Sequence, residues 1–258
     1  MSLEDLTRQE LDDTLAAVGV QAGDGLLVHS ALQFLGRPEG GLQMYLDALL
    51  DEVGPEGTLA VPAFTFAFAR GKDFDRREST SENMGVFSEF VRLHPEALRT
   101  SHPMQSLSLI GAHAEDLAAL DTPSAFDEGS AFDRMLELDF KLLLLGADIQ
   151  AASIAHYSEQ RAEVPYRFWK DFAGRVRVDD GWQDGSYRMY VRDMEIDPQL
   201  NLRPIRQALQ IRGQWHTQPL RHGHVSLCSL RDFVAATDDL LAQDPWTLVA
   251  GRKRPTSS

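Results

Sequence analysis

The sequence has a single cysteine, Cys228, and this scarcity limits both its redox chemistry and its metal binding. One thiol forms no internal disulfide, and it excludes zinc modules built from several cysteines. Apolar runs such as Leu142–Leu145 are far too short to cross a bilayer. The amino terminus is acidic and lacks the apolar segment of a signal peptide. These absences predict a cytoplasmic protein that crosses no membrane.

Positive charge is also scarce. Lys and Arg number 25 against 39 Asp and Glu, which gives 258 residues a formal net charge of −14. Nucleic-acid binding depends mainly on contacts between cations and phosphates, and adhesion to anionic membranes needs basic clusters. The charge therefore argues against nucleic acid and membranes as partners, and it is compatible with a cationic substrate.

Several standard catalytic signatures are missing. The sequence has no glycine-rich phosphate loop ending in Lys-Ser or Lys-Thr, and no dinucleotide fingerprint follows its first predicted strand. It has no Gly-x-Ser-x-Gly elbow. Kinases, Rossmann dehydrogenases and α/β-hydrolases therefore lose support.

The hydrophobic pattern alternates between strand-like and helix-like segments up to Pro165. It then becomes more antiparallel, with a hairpin predicted around the turn Asp179–Gly181 and an irregular tail from Arg252 to Ser258. Short β-α-β units followed by such a region predict an α/β fold, a three-layer mixed sheet with flanking helices. We expect one domain over residues 1–258, with a core at 1–165 and a more variable, acceptor-side region at 166–250. The predicted strands are 25–29, 58–61, 107–110, 141–145, 214–220 and 224–228, and the predicted helices are 40–53, 86–93, 130–138, 153–161, 204–211 and 230–241.

Three histidines lie at strand ends or loop–helix junctions. His29 ends an apolar strand, His102 precedes another, and His156 lies in the first turn of a helix predicted to begin at Ser153. Glu159 follows His156 at i+3 and shares its helical face. A histidine beside a carboxylate is suited to general-base work, because it titrates near neutral pH. Each segment alone is more often structural than catalytic, and together they do not specify a reaction.

The residues of these segments, and the order of the segments along the chain, resemble those of the aminoglycoside 3-N-acetyltransferase family. The resemblance is strongest in Val28-His29-Ser30-Ala31-Leu32, in Ser101-His102-Pro103 and in Ala155-His156-Tyr157-Ser158-Glu159. It covers most of the first 165 residues. The matching stretches are Leu15 to Gly36, Gly54 to Pro62, Met84 to Gly111 and Glu128 to Glu159.

The resemblance implies a fold unlike that of Gcn5-like acetyltransferases and an acetyl-CoA-dependent transfer to a primary amine, with no metal. It implies that His156 is the general base, that Glu159 orients it or holds a substrate ammonium, and that His29 supports the thioester or the substrate. It also implies a family role in antibiotic resistance, with a homodimer as one option. The residues implied to bind the cofactor are Ser30, Ala31, Leu32, Leu35, Gly36, Ser101, His102 and Ser106.

The acceptor stays open at this point. Arginines and tryptophans are scattered through the second half of the chain, either as solvated faces and core aromatics or as partners for a nucleotide-linked amino sugar. An aminoglycoside or another amino sugar is the other reading, and acyl transfer to an amine is better supported than drug resistance itself. The alternatives are a CoA-binding or partner-binding protein without catalysis, and a hydrolase using His156 and Glu159, with a metal at His222 and His224. The arginines in question are Arg175, Arg177, Arg188, Arg192, Arg203, Arg206, Arg212 and Arg221.

Overall fold

The structure, a computed structural model, describes residues 5–178 and 181–250. The predicted tail at 252–258 lies outside these residues, as do Asp179 and Asp180 of the predicted turn. The strands are β1 (Asp5–Leu6), β2 (Gly25–Ser30), β3 (Arg37–Pro38), β4 (Thr58–Pro62), β5 (Leu98–Arg99), β6 (Leu107–Gly111), β7 (Lys141–Leu145), β8 (Arg167–Val178), β9 (Gly181–Arg192), β10 (Gln199–Leu200), β11 (His216–Pro219), β12 (His224–Ser229) and β13 (Val249–Ala250). The helices are α1 (Arg8–Val18), α2 (Gly41–Val53), α3 (Gly85–Arg92), α4 (Ala114–Ala119), α5 (Ala131–Glu137), α6 (Ala155–Arg161), α7 (Arg203–Ile211) and α8 (Leu230–Gln243).

A seven-stranded mixed sheet forms the centre of the fold, in the order β11-β12-β7-β2-β4-β6-β5. The three central strands β7, β2 and β4 are parallel, and β6 and β12 run antiparallel on either side of them. Because helices cover both faces of the sheet, its central strands are apolar on both faces rather than alternating. This arrangement explains the continuous apolar runs in β2 and β7.

The two faces of the sheet carry two separate hydrophobic clusters. Leu27, Leu142 and Leu144 point into the first cluster, which contains side chains of α4, α5, α6, α7 and α8. Leu26 and Leu143 point into the second, which is covered by α1, α2 and α3. The strand period of two thus sorts neighbouring residues into opposite layers. The predicted three-layer α/β fold is confirmed.

Local signals mark the ends of several helices. The hydroxyl of Thr7 accepts a hydrogen bond from the Glu10 backbone, and the Glu10 carboxylate accepts from the Thr7 backbone, which makes the capping box of α1. Ser130 and Ser229 cap α5 and α8 through their hydroxyl oxygens. Gly19 ends α1 in the left-handed region, with φ of 104°. Such signals act within a few residues, so the sequence predicts these helices.

The antiparallel hairpin of β8 and β9 is longer than predicted, with twelve residues in each strand. Val176 and Tyr187 are the only buried residues of these two strands as the structure describes them, so the hydrophobic pattern does not indicate the length of the hairpin. The hairpin packs on the body of the protein through Val176 and Tyr187, which join Phe68, Phe74 and Met104 in a third cluster. A bridge between Phe74 and Val176 fixes this contact. Tertiary packing, and not local pattern, therefore extends the hairpin.

Among residues 5–178 and 181–250, no helix combines the length and the apolar character that a membrane crossing requires.

Candidate active site

Several of the predicted site residues meet at one edge of the seven-stranded sheet. β2, β4 and β7 are parallel, so their carboxyl ends lie at the same edge, and antiparallel β6 brings its amino end there. Ser30 at the end of β2 forms a bridge with Gly146, which follows β7. Open α/β sheets bind ligands at this edge. The segments that leave or enter the sheet there are 31–36, 63–66, 101–106 and 147–156.

His156 and Glu159 form a hydrogen-bonded pair on α6. Nδ1 of His156 lies 2.5 Å from Oε2 of Glu159. The glutamate side chain is fully buried, whereas 28% of the histidine side chain is exposed. Burial pushes the pKa of Glu159 upward, but the hydrogen bond and charge of His156 and the charge of Arg167 outweigh it, so this pKa lies below its usual value. The carboxylate is therefore ionised at neutral pH.

The pairing assigns the tautomer of His156. An ionised carboxylate only accepts hydrogen bonds, so the neutral imidazole carries its proton on Nδ1 and keeps a lone pair on Nε2. No side chain of residues 5–178 and 181–250 hydrogen bonds to Nε2. The pair can thus accept a proton at Nε2 while Glu159 holds the ring and stabilises the imidazolium that forms.

Two residues that the sequence analysis did not single out also meet this pair. Nε of Arg167, the first residue of β8, lies 3.0 Å from Oε2 of Glu159, and its Nη2 lies 3.2 Å from Nδ1 of His156. Tyr166 is buried beside them, and burial followed by the Glu159 carboxylate raises its pKa, so its hydroxyl stays protonated. A buried glutamate requires a nearby cation, which is the signal that points to such a residue. The burial of a glutamate does not indicate which arginine supplies that cation.

His29 lies in the interior behind this pair. Its Nε2 is 3.2 Å from the hydroxyl oxygen and 3.4 Å from the backbone nitrogen of Ser153, just before α6. Burial, reinforced by the charge of His156, lowers the pKa of His29 to about 3. The ring is therefore neutral at neutral pH and joins β2 to the segment that begins α6. Its contact with a thioester or substrate stays a prediction.

The loop at 124–127 also contacts the pair. The Ser124 hydroxyl donates to Oε1 of Gln160 at 2.7 Å, and Nε2 of Gln160 donates to Oδ1 of Asp127 at 2.9 Å. This network fastens the loop to α6. The ring of Phe126 then stands edge-on to the His156 imidazole, with 6.0 Å between ring centroids.

The predicted cofactor residues after β2 lie in a tight turn at the site edge. The Ala31 nitrogen donates to the Leu145 carbonyl oxygen at 2.9 Å, and a short 3₁₀ turn covers Leu32–Phe34. Leu32 and Leu35 are buried, while Ser30 and Ala31 are partly exposed. Gly36 adopts φ of 90°, a conformation that favours glycine. The amino end of α3 abuts this turn, since a Cβ on Gly85 would lie 3.6 Å from the Ser30 carbonyl oxygen.

The other predicted cofactor residues occupy a different environment. Nδ1 of His102 accepts from the Gln105 nitrogen at 3.1 Å, and its Nε2 lies 3.4 Å from the Arg188 carbonyl oxygen. The Ser106 hydroxyl donates to the Ala63 carbonyl oxygen at 3.0 Å and is fully buried. Both side chains therefore fasten the hairpin and the end of β4 to the loop before β6. Ser101 is partly exposed and lines a cleft with Asp121 and Tyr187. Contact of these three residues with a cofactor stays a prediction.

The arginines of the second half are paired with carboxylates. Within the described residues all but Arg203 have a carboxylate oxygen within 4 Å, and several of these partners lie in the acidic first half. Arg188 also lies over the Trp169 ring, 3.8 Å from its centroid. The charges of the two halves therefore compensate each other locally. The pairs are Arg175 with Asp73, Arg177 with Asp75, Arg188 with Asp171, Arg192 with Asp197, Arg206 with Asp148, Arg212 with Asp239 and Arg221 with Glu10.

The alternative metal site at His222 and His224 needs further ligands. In the part of the chain that the structure describes, no group of three or more His, Cys, Asp or Glu side chains is arranged to hold a metal ion. His224 opens β12, where it pairs with Pro219.

A three-layer α/β fold with a buried carboxylate–histidine pair at the strand ends is an arrangement that is able to perform general acid–base chemistry. The comparison with known proteins is more specific. The sequence profile of the family described as aminoglycoside 3-N-acetyltransferase matches residues 27–242. The chain is 33% identical over 181 residues to aminoglycoside N(3)-acetyltransferase III of a Salmonella species. That alignment covers 63% of this chain and 63% of the relative, so the chain matches less than two thirds of the relative's length.

Solved structures agree with this assignment over nearly the whole chain. A structure described as AAC-IIIb binary with CoASH superposes with a TM-score of 0.82 and 26% identity, covering 93% of this chain and 97% of that one. An aminoglycoside acetyltransferase AAC(3)-IVa with one histidine changed to alanine, in complex with apramycin, gives a TM-score of 0.80 and 26% identity, covering 96% of each chain. The chain belongs to the aminoglycoside 3-N-acetyltransferase family. This membership confirms the predicted family.

Proposed function

We propose that this protein transfers the acetyl group of acetyl-CoA to a primary amine of an aminoglycoside or a related amino sugar, with His156 as the general base in a ternary complex. The observation that carries the proposal is the buried Glu159 carboxylate, held 2.5 Å from Nδ1 of a partly exposed His156 at the sheet edge. Relatives with CoASH and with apramycin bound support the same pairing of substrates.

The residues of the chain divide the work as follows. Nε2 of His156 takes the proton that the amine loses as its nitrogen bonds to the acetyl carbon. The carbon–sulfur bond then breaks, and His156 returns the proton to the leaving sulfur. Glu159 keeps Nδ1 protonated throughout, so Nε2 is the nitrogen that exchanges protons. Holding amine and thioester together accelerates the reaction further, because it makes the attack effectively unimolecular.

The turn from Ser30 to Gly36 and the amino end of α3 would hold the cosubstrate. Ser30 and Ala31 are partly exposed next to the apolar side chains of Leu32 and Leu35, so the turn offers a surface to an extended pantetheine arm. The helix end at Gly85 presents unpaired backbone N–H groups and the positive end of the helix dipole. These features fit an amide-rich, anionic cosubstrate.

A polyamine acceptor fits the charge distribution better than an anionic one. Guanidinium groups that recognise phosphate need free donors, whereas Arg175, Arg177 and Arg212 already donate hydrogen bonds to carboxylates of the same chain. The net charge of −14 also attracts a cation. We therefore favour an aminoglycoside or a free amino sugar over a nucleotide-linked one.

The experiment is a thiol-release assay with acetyl-CoA and a panel of amines: apramycin, glucosamine, UDP-glucosamine and an aminoglycoside without a free 3-amino group. We expect release of CoA with at least one aminoglycoside or free amino sugar. His156→Ala should lower kcat about 10²–10⁴-fold with little change in the dissociation constant for acetyl-CoA. His216→Ala, on exposed β11, is the matched control and should leave kcat unchanged.

Two results would overturn the proposal. One is a folded wild-type protein that does not bind CoA in a calorimetric titration. The other is His156→Ala with full turnover.

The remaining expectations extend this proposal. A single domain is supported by the first hydrophobic cluster, which joins Leu27 and Leu142 of the core to Leu202 and Phe233 of the region at 166–250. We place the protein in the cytoplasm, where a lone buried thiol such as Cys228 stays reduced. Light scattering of the purified protein tests the homodimer.

A further inference from the structure

Glu159 is the centre of a three-residue arrangement, and its third member is supplied by the hairpin. Its Oε2 lies 2.5 Å from Nδ1 of His156 and 3.0 Å from Nε of Arg167. His156 is hydrogen-bonded to this carboxylate oxygen, and the Arg167 guanidinium forms an ion pair with it. The carboxylate is fully buried and the Arg167 side chain is 12% exposed, so solvent screens these interactions weakly.

Arg167 is itself held in place. Its Nη1 donates to the Tyr190 carbonyl oxygen at 3.1 Å, and the Tyr190 hydroxyl donates to the Val164 carbonyl oxygen at 2.8 Å. β8 and β9 and the turn before them therefore fix the guanidinium. This fixed position brings Nη2 to 3.2 Å from Nδ1 of His156.

We propose that Arg167 is a positioning residue for acetyl transfer, acting through Glu159 to hold His156 in its orientation and its neutral form. This inference rests on the proposed function of His156. The guanidinium keeps Glu159 ionised whether or not His156 carries a second proton, so the carboxylate remains an acceptor throughout the cycle. Its positive charge also lies close to the imidazole, with Nη2 3.2 Å from Nδ1, and so opposes the uptake of a second proton.

The groups that face His156 come from several elements. Glu159 on α6 favours the imidazolium, and Arg167 on β8 opposes it. His29 on β2 is neutral, and Phe126 carries no charge. Tyr166 and Tyr190 remain protonated, because burial is the main cause that raises the pKa of each phenol. Arg167 is thus the fixed positive charge beside the ring among the residues that the structure describes.

The test compares Arg167→Ala and Arg167→Lys with Arg192→Ala. Arg192 is the cross-strand neighbour of Arg167, but it pairs with exposed Asp197 at 3.9 Å. In Arg167→Ala we expect kcat to fall about 10–100-fold while the KM for acetyl-CoA stays within twofold. We also expect the pH midpoint of kcat to move up by about one pH unit, because the opposing charge is gone. In Arg167→Lys the pH midpoint of kcat should return close to its wild-type value. Arg192→Ala should change neither kcat nor this pH midpoint.

A second readout does not need turnover. Titration of the His156 ring, followed by NMR of its imidazole nitrogens, should show the same upward movement in Arg167→Ala. If Arg167→Ala does not fold, Arg167→Met keeps the side-chain stem and carries the same measurement. An unchanged titration and an unchanged pH midpoint would overturn the inference, as would a loss of kcat that Arg167→Lys does not repair. If the wild type transfers no acetyl group, the proposed function fails. The NMR titration still shows whether Arg167 affects the protonation of the His156 ring.

Discussion

Two buried histidines, His29 and His102, should make the stability of this fold depend on pH between about pH 7 and pH 5. Burial, with the charge of His156, lowers the pKa of His29 to about 3. Burial lowers the pKa of His102 to about 4, although hydrogen bonds to the backbone at Arg188 and Pro123 oppose it. In the unfolded chain both rings titrate near 6.5.

The sign follows from proton binding. Below pH 6.5 the unfolded chain takes up these two protons and the folded protein does not, so acid favours unfolding. The stabilisation is complete above the unfolded pKa and is lost as the pH falls toward the folded pKa values. Each fully linked proton changes the free energy of unfolding by about 1.4 kcal/mol per pH unit. From pH 7 to pH 5 each histidine therefore removes about 2 kcal/mol, and the two together remove about 4 kcal/mol.

The assay is urea unfolding followed by tryptophan fluorescence at pH 7, 6 and 5, in the wild type and in His102→Gln. The variant should be less stable at pH 7, because the Gln105 nitrogen and the Arg188 carbonyl oxygen lose their imidazole partner. Its loss between pH 7 and pH 5 should nevertheless be smaller than that of the wild type by about 2 kcal/mol. His216→Gln, at an exposed histidine, is the control. It should lose as much stability between pH 7 and pH 5 as the wild type. Equal losses in the wild type and in His102→Gln would refute the reasoning.

Two further substitutions test how the site is held. Gly146→Ala should lower the free energy of unfolding by at least about 2 kcal/mol and raise the KM for acetyl-CoA, because φ is 71° and the added Cβ would lie 2.8 Å from the Ala31 carbonyl oxygen. Urea unfolding measures the first effect and the thiol-release assay the second. An unchanged KM would show that this turn is not part of the cosubstrate site. Gln160→Leu removes the side-chain amide that hydrogen bonds to Asp127 and to the Ser124 hydroxyl, so it should lower the free energy of unfolding by about 2 kcal/mol. Because the loop that carries Phe126 is then no longer attached to α6, kcat should fall more than either KM changes. A stable variant with wild-type kcat would contradict that role.

The charge pattern explains why the acceptor was hard to predict. The sequence places an acidic excess in the first half and many arginines in the second, which permits an anionic ligand. In the folded protein Arg175 pairs with Asp73 and Arg177 pairs with Asp75, partners that lie 102 residues apart. Such pairs form only when the hairpin packs against the loop before α3. Composition and spacing do not contain that information.

The sequence by itself determined the elements that depend on local rules. Strands β2, β4 and β7 follow from apolar runs, the start of α1 from its capping box, and the pairing of His156 with Glu159 from helical spacing at i and i+3. It also carried the family resemblance through ordered segments. These features depend on only a few neighbouring residues, so they are predictable from the sequence without knowledge of the fold.

Only the tertiary structure decided the partners of the candidate base. The contact of His29 with Ser153 spans 124 residues, and that of His102 with the Arg188 backbone spans 86. Arg167 reaches Glu159 because the first residue of β8 returns over α6 and the turn fixes it there. The physical reason is that a buried carboxylate requires a compensating charge, but burial and chain closure choose which of the 25 cations supplies it.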